Sequence, residues 1–155
     1  MCGLVYISGF KDLKKTAEES LRRIKHRGPD SVVLNLVGDK WLGFSRLSIV
    51  DTSDSGDQPF ERKNIHYMCN GEIYNYKKIK SYFENFQWSS TSDCEVLIPL
   101  FEKGGIKEVV REIDGEYACV IYDEKSDSLS AARDPMGIRP LFYGYSKKDG
   151  KICFA

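Results

Sequence analysis

Strand-like and helix-like patterns occur along this chain in separate blocks, and their order is what most limits the fold. A β-rich opening with one helix leads to a helical middle, which is followed by the strand-like runs "EYACVIYD", "SLSAARD", "RPLFYGYS" and "KICFA". The regular alternation of strands and helices that builds a doubly wound parallel sheet is absent. The order therefore predicts an α+β fold with antiparallel sheets and segregated helices.

The opening combines strand-like runs with one amphipathic helix. The runs "CGLVYISGF", "SVVLNLVG", "WLGFSRLSIVD" and "IHYMCNG" predict strands, and the "GDK" turn between the second and third predicts a hairpin. After the first run, "DLKKTAEESLRRIKH" places Leu13, Ala17, Leu21 and Ile24 on one helical face. Asp12 is the predicted N-cap of this helix.

Helical patterns fill the middle of the chain. In "NYKKIKSYFENF" apolar residues recur at helical spacing as far as Phe86, and "IKEVVREI" is a further amphipathic segment. Between them, "TSDCEVLIPLFEKGG" opens with Ser92 and Glu95 at the spacing of a capping box. Pro99 lies inside this segment and is expected to strain or kink the helix.

Charge and cysteine usage exclude several classes of function. Lys plus Arg and Asp plus Glu both total 23, so there is no electrostatic reason to expect a nucleic-acid or membrane partner. The apolar runs are too short to span a membrane, and the N-terminus lacks the pattern of a signal peptide, so we expect a cytoplasmic protein. The five cysteines include no closely spaced pair, which argues against a disulfide framework or a metal site.

The cysteine at position 2 has two interpretations. Cys is a small apolar residue that suits the first strand of a sheet. If Met1 is removed, however, Cys2 carries a thiol with a pKa near 8.5 and an α-amine with a pKa near 7.7 to 8.0. Such an amine, directly or through a water, accepts the thiol proton near neutral pH, so one residue would supply both nucleophile and base.

Four further residues would complete a site that transfers an acyl group from an amino acid, although each also has a structural explanation. Asn70 and Gly71 offer a side-chain amide and a backbone N–H to an oxyanion, but Asn-Gly is also a common turn signal. Arg46, in an apolar strand, needs a carboxylate that is either structural or part of a ligand. Asp93 either complements a helix dipole or holds a ligand ammonium. Arg46 and Asp93 together would recognise a free α-amino acid.

The ordered combination of these residues with other short motifs resembles one enzyme family. The chain is similar to the glutaminase domain of class II glutamine amidotransferases, and most of all to the amino-terminal domain of glutamine-hydrolysing asparagine synthetases. The resemblance extends from Met1 to Ala155. The motifs that carry it are Cys2-Gly3, "HRGPD" (26–30), "RLSIVD" (46–51), "QPF" (58–60), "NGEIYN" (70–75), "SDCEV" (92–96), "DGEYACVIYD" (114–123) and "RDPMGIRPLFYG" (133–144).

The resemblance implies a fold and a set of roles. The fold would be an N-terminal-nucleophile (Ntn) hydrolase-like four-layer αββα sandwich, in which two antiparallel sheets are flanked by helices. Cys2 would be the nucleophile, Asn70 and Gly71 would form the oxyanion hole, and Arg46 would hold the glutamine α-carboxylate. Asp93 and Glu72 would place its amino end. The backbone of one loop would line the rest of the pocket, namely Leu47, Ser48, Ile49 and Val50.

The resemblance also implies partners and cofactors. L-glutamine would be the substrate, and its hydrolysis needs no cofactor or metal. ATP and Mg would belong to a synthetase domain, and the Ser-Gly-Gly-Leu-Asp-Ser-type phosphate loop of that domain does not occur here. We therefore expect residues 1–155 to be a glutaminase domain that is truncated at its C-terminal end. Its expected partner is a synthetase domain or subunit, and the sequence leaves open whether the chain forms a homo-oligomer.

Two other functions remain open at this stage. One is a non-catalytic module that binds glutamine or docks on a partner after loss of the synthetase domain. The other is an N-terminal-nucleophile hydrolase that acts on a different amide, which Arg46 and Asp93 disfavour. Within the motifs, "HRGPD" is expected to be a structural loop and His26 a structural residue. Cys69 and Cys94 are expected to adjoin the pocket as small buried side chains, and no chemistry is assigned to them.

Overall fold

The computed structural model describes every residue from Met1 to Ala155. Its regular structure consists of nine strands, three α-helices and three short 3-10 helices. The strands are β1 (Gly3–Ser8), β2 (Ser31–Val37), β3 (Lys40–Arg46), β4 (Phe60–Arg62), β5 (Ile65–Ile73), β6 (Gly115–Asp123), β7 (Ser128–Arg133), β8 (Tyr143–Ser146) and β9 (Lys151–Phe154). The helices are α1 (Leu13–Ile24), α2 (Tyr76–Tyr82) and α3 (Leu97–Glu112). None of these helices has the length and apolar character needed to cross a membrane.

The strands form two sheets, and every strand pair is antiparallel. The five-stranded sheet has the order β2-β3-β1-β9-β8, and the four-stranded sheet has the order β4-β5-β6-β7. The predicted hairpin is β2 with β3, which pair from Val37 opposite Lys40 to Ser31 opposite Arg46. This topology confirms the predicted α+β fold with antiparallel sheets.

Alternation of side chains along the strands produces a layered core. In β1, Leu4 and Tyr6 point towards the other sheet and pack with Met68 of β5 and Val120 of β6. These four side chains are at most 3% exposed, and they hold the two sheets face to face.

The outer faces of the sheets are covered by helices. Val5 and Ile7 of β1 pack against Ala17 and Leu21 of α1. On the other sheet, a second apolar cluster joins the outward-facing residues of β5 and β6 to α2 and α3, and it includes Tyr67, Ile79, Leu97, Leu100 and Ile121. The layers therefore run helix, sheet, sheet, helix, which confirms the predicted four-layer αββα sandwich.

Two of the predicted helix signals differ in the structure. Asp12 does precede α1, but its side chain caps no N–H group. Pro99 does not kink α3, because it lies in the first turn, where backbone N–H groups have no intrahelical partner. The helix is interrupted instead at Gly104 and Gly105, and the φ of 65° at Gly105 is a conformation that glycine adopts without strain.

The predicted capping box is wrong. The Glu95 carboxylate accepts hydrogen bonds from the backbone N–H and hydroxyl groups of Ser89 and Ser90, at 2.6 to 2.9 Å, and does not reach back to Ser92. The Ser92 hydroxyl accepts the Cys94 N–H at 3.3 Å. Glu95 is completely buried, so the four donors that it receives offset the cost of removing its charge from water.

Several element boundaries also differ from the sequence pattern. Helix α2 ends at Tyr82, whereas the periodic pattern continues to Phe86, which lies in a loop and packs on Trp88 with ring centroids 4.5 Å apart. Strand β3 ends at Arg46, so residues 47–50, which the sequence pattern included in the strand, leave the sheet. The run "RPLFYGYS" is extended as a strand only from Tyr143, and the three-residue β4 was not predicted.

Replacing Leu42 by alanine tests the core between the sheets. Leu42 is fully buried in that core, and we expect Leu42→Ala to lower the free energy of unfolding by about 2 to 4 kcal/mol. Leu36→Ala, on the same hairpin but 57% exposed, should change it by less than about 0.5 kcal/mol. Urea unfolding of both variants measures this difference, and equal losses would contradict the layer assignment.

Candidate active site

A pocket of about 70 Å³ lies at one end of the sandwich and brings together most of the predicted site residues. Ser48 is the exception: it lies outside the pocket lining, and its N–H donates to Asp30 Oδ2 at 2.8 Å. The predicted residues that line the pocket are Cys2, Arg46, Leu47, Ile49, Val50, Asn70, Gly71, Glu72 and Asp93. They come from the start of β1, the end of β3, the end of β5 and the segment before α3.

Cys2 is held at the pocket wall by neighbouring backbone groups. Its Sγ accepts the Leu47 N–H at 3.3 Å and lies 3.6 Å from the Leu47 carbonyl oxygen. Arg27 of the "HRGPD" motif donates from Nε to the Cys2 carbonyl oxygen at 3.0 Å. Burial raises the pKa of the Cys2 thiol, and the Leu47 N–H opposes that rise. With Met1 attached, the nitrogen of Cys2 is an amide and cannot act as a base.

The "HRGPD" loop positions the segment that carries Arg46 and Leu47. The Asp30 N–H donates to the Arg46 carbonyl oxygen at 3.0 Å, and Gly28 packs so closely on Ser45 that a Cβ would lie 2.3 Å from its carbonyl oxygen. His26 lies outside the pocket, with Nδ1 3.1 Å from the Arg23 carbonyl oxygen. The loop therefore has the structural role that the sequence predicted.

Asn70 and Gly71 lie inside β5, which excludes the turn interpretation. The Asn70 side chain is 5% exposed, lines the pocket and forms no hydrogen bond with another protein group. Gly71 faces Tyr117 of β6, and a Cβ on Gly71 would lie 2.7 Å from the Tyr117 Cβ and 2.5 Å from the Glu116 carbonyl oxygen. The close approach of β6 therefore requires glycine at this position.

The N–H of Gly71 has no protein partner. Tyr117, opposite it in β6, uses both its N–H and its carbonyl oxygen to bond with Asp134. In an antiparallel pair, alternate residues direct their N–H groups to the same edge, so Gly71 shares an edge with Cys69 and Ile73. On that edge, the Cys69 N–H donates to Gln58 Oε1 and the Ile73 N–H to Asp93 Oδ2, both at 2.7 Å. Only the Gly71 donor between them remains unbonded, beside the Asn70 amide.

The Arg46 guanidinium is anchored by the loop that follows β3. Nη1 donates to the Ser53 carbonyl oxygen at 2.7 Å and to Asp57 Oδ1 at 2.9 Å, and Nη2 donates to the Asp51 carbonyl oxygen. At Gly56 a Cβ would lie 2.2 Å from Nη2, so glycine makes room for the guanidinium. Arg46 thus has the structural carboxylate partner that sequence analysis left open, while its side chain still lines the pocket.

Two buried carboxylates in the pocket wall have opposite electrostatic environments. Asp51 accepts hydrogen bonds from the hydroxyl and N–H of Ser53 and from the Thr91 N–H, and these bonds hold its pKa well below the ordinary value. Asp93 is 4% exposed and has no cationic side chain paired with it, and burial raises its pKa. Asp93 is therefore an acidic group that lacks a positive partner within the protein.

Sequence reasoning missed several residues of the pocket wall. Arg139 is placed there by a loop wound around Asp134, which accepts the N–H groups of Ile138 and Arg139 at 2.9 and 3.1 Å. The motif "RDPMGIRPLFYG" was the signal for this loop, but no role was attached to it. The other missed residues are Met1, Asp51, Gly56, Gln58 and Ser92. Cys69 and Cys94 line the pocket as well, and the sequence had placed both beside it without assigning them chemistry. Nowhere in the structure do three His, Cys, Asp or Glu side chains form a group that could hold a metal ion.

Comparison with known proteins identifies the family of this chain. Residues 1–155 match the family described as glutamine amidotransferase domain. A probable glutamine-hydrolysing asparagine synthetase of Acanthamoeba polyphaga mimivirus is 42% identical over 163 residues, which cover 100% of this chain and 30% of that protein. Glutamine-hydrolysing asparagine synthetase 3 of Arabidopsis thaliana is 40% identical over 161 residues, which cover 100% of this chain and 27% of the relative. The chain thus spans less than a third of these relatives.

Asp93→Asn is expected to stabilise the ligand-free protein at neutral pH. Because burial raises the pKa of Asp93, the folded protein keeps this proton to a higher pH than the unfolded chain, and stability falls as the pH rises through that interval. Asparagine avoids this loss and its oxygen still accepts the Ile73 N–H. Urea unfolding should show an advantage of the variant at about pH 7 but not at about pH 3, below the unfolded-state pKa.

Asp51→Asn is the matched control and should have the opposite effect. The pKa of Asp51 is lowered by its hydrogen bonds, so the charged form adds stability above the unfolded-state pKa, and this contribution is lost as the pH falls. The variant should therefore be less stable than the unmodified protein at about pH 7. Destabilisation by Asp93→Asn at both pH values would contradict the electrostatic difference between the two carboxylates.

Proposed function

Because the chain belongs to the glutamine amidotransferase domain family, we propose that it hydrolyses the side-chain amide of L-glutamine to glutamate and ammonia. The observation that supports this most directly is the pairing of the Cys2 thiol with two unbonded donors, the Asn70 amide and the Gly71 N–H, in one pocket. A nucleophile facing preorganised donors is the arrangement that acyl transfer requires.

The proposed reaction begins when removal of Met1 frees the α-amine of Cys2. This amine takes the thiol proton, directly or through a water, and the thiolate attacks the amide carbon of glutamine. Asn70 and Gly71 donate to the oxyanion of the tetrahedral intermediate, and ammonia leaves with the proton returned by the amine. Water then attacks the γ-glutamyl thioester, releasing glutamate and restoring the thiol.

The charged ends of glutamine match the charges in the pocket wall. We assign the α-carboxylate to Arg46 and the ammonium to Asp93 with Glu72, while Leu47, Ile49 and Val50 line the rest of the pocket. Asp93 has no cationic partner in the protein, so the substrate ammonium would supply one.

We further propose that the ammonia is used to form asparagine. The relatives named above are glutamine-hydrolysing asparagine synthetases, and this chain would be the glutaminase domain of a similar enzyme. Glutamine hydrolysis would need no cofactor, whereas ATP and Mg would serve a synthetase domain or subunit that residues 1–155 do not contain. The proposed location is the cytoplasm, where the five free thiols would stay reduced.

Glutamate release from glutamine tests the proposed activity. We expect turnover by protein from which Met1 has been removed, and none by the Cys2→Ala variant or by protein that retains Met1, because each lacks the thiol or the free amine. Intact mass identifies the processed form. Release by the Cys2→Ala variant would contradict the mechanism, and binding of glutamine without release by the processed protein would favour the non-catalytic module.

The oxyanion hole is tested by Asn70→Ala. Losing one such donor should lower kcat by about 10² to 10³-fold and leave KM nearly unchanged, because the donor acts mainly on the tetrahedral state. Asn35→Ala, on the exposed edge strand β2, is the control and should change neither constant. A rise in KM with an unchanged kcat would instead assign Asn70 to substrate binding.

A further inference from the structure

We propose that Gln58 positions the oxyanion hole: its side-chain amide replaces a neighbouring strand beside Cys69 and leaves the Gly71 N–H open to the pocket. The inference rests on the proposed function. Gln58 does not contact the reacting atoms in this scheme but acts through the backbone of β5.

The argument begins with the edge of β5. Strand β4 pairs with β5 only from Arg62 opposite Ile65 to Phe60 opposite Tyr67. Continuing that register by two residues places Gln58 opposite Cys69. The backbone does not follow this path; instead the Gln58 amide accepts the Cys69 N–H at 2.7 Å and donates to the Cys69 carbonyl oxygen at 3.2 Å. One side chain thus makes both bonds of a missing strand residue.

The backbone before Gln58 is held by the other sheet. Asp57 accepts Arg46 Nη1 at 2.9 Å and the Ser31 hydroxyl at 2.8 Å, and both donors belong to the five-stranded sheet. If β4 continued in register, Gly56 would stand opposite Gly71 and would occupy its free edge. Turning the chain away at Asp57 therefore leaves this edge open, and Gln58 supplies the hydrogen bonds that β5 would otherwise lose.

These bonds lie where an unpaired group would be costly. Gln58 is 5% exposed and Cys69 is 2% exposed, so an apolar substitute would leave a buried N–H and carbonyl without their principal partner. Only the weak thiol donor of Cys94 would remain, 3.7 Å from the Cys69 oxygen. The backbone at Cys69 would have to move, and Asn70 and Gly71 follow it directly in the chain.

An aldehyde analogue of glutamine, L-glutamate γ-semialdehyde, tests this role without requiring turnover. The Cys2 sulfur adds to the aldehyde carbon while the thiol proton passes to the oxygen, which then occupies the oxyanion hole. L-glutamate is the comparison ligand, because it forms no such adduct. In processed Gln58→Ala protein we expect aldehyde affinity to fall about tenfold or more relative to glutamate affinity. Gln58→Met, which keeps the side-chain length without the amide, should behave alike.

Asn75→Ala is the matched control. Its side-chain amide also bridges two backbone groups, donating to the Glu112 carbonyl oxygen at 2.8 Å and accepting the Asp114 N–H at 3.1 Å, but it lies outside the pocket lining. This variant should lose stability without a selective loss of aldehyde binding. Equal losses of aldehyde and glutamate affinity in both Gln58 variants, or no loss, would overturn the inference.

Glutamate release by the unmodified processed protein separates this inference from the proposed function. Absence of release counts against the proposed function alone, since aldehyde addition needs only the thiol and the donors. The ratio of aldehyde to glutamate affinity, compared between the unmodified protein and the Gln58 variants, decides the role of Gln58. Processed protein that binds the aldehyde no more tightly than glutamate would overturn that role as well.

Discussion

The edge of β5 beyond Tyr67 is buried but has no neighbouring strand, and the pocket is built around this constraint. Buried backbone groups need hydrogen-bond partners, so side chains from other segments must supply them. The Gln58 side chain accepts the Cys69 N–H, and the Asp93 carboxylate accepts the Ile73 N–H. These bonds hold the loop before β4 and the loop before α3 against the same edge. Asp51 joins the two loops through the Thr91 N–H at 2.7 Å. The one backbone N–H of this edge that stays unbonded, on Gly71, is therefore a consequence of how its neighbours are satisfied.

The charges around this edge divide into satisfied and unsatisfied groups. Arg46 and Asp51 have several protein partners each, and their hydrogen bonds stabilise the loop between β3 and β4. Asp93 receives the Ile73 N–H but no cation, so its ionised form weakens the folded state in the absence of ligand. A ligand ammonium would remove that cost and gain affinity from it. Stability and binding thus make opposite demands on one residue, which is common where a site is prepared for a charged ligand.

The sequence predicted those features that depend on local patterns. The runs that form β1 and β5 were predicted as strands, and the "GDK" turn predicted the hairpin of β2 and β3, because strand-forming residues and turn residues are local signals. Patterns failed where a partner distant in sequence decides the outcome. Glu95 bonds to Ser89 and Ser90 rather than capping a helix. The motif "QPF" contributed to the family resemblance, but nothing in it indicated that the Gln58 side chain bonds to the edge of β5 in place of a strand. Such contacts depend on the arrangement of loops that have no periodicity.

In the proposed mechanism, Cys2 must lie at the N-terminus and must also be held in a fixed position. An α-amine that serves as base must lie at a chain terminus, yet termini are the parts of a domain that are least often fixed. Here β1 lies at the centre of its sheet, between β3 and β9, and the Leu47 N–H and Arg27 hold the sulfur and the carbonyl of Cys2. Cys2 is therefore held in place by the centre of the sheet, although it lies next to the N-terminus. If Cys2 is the nucleophile, as we propose, its distance to the donors on β5 stays constant, because the buried layer of Leu4 and Met68 fixes the separation of the two sheets.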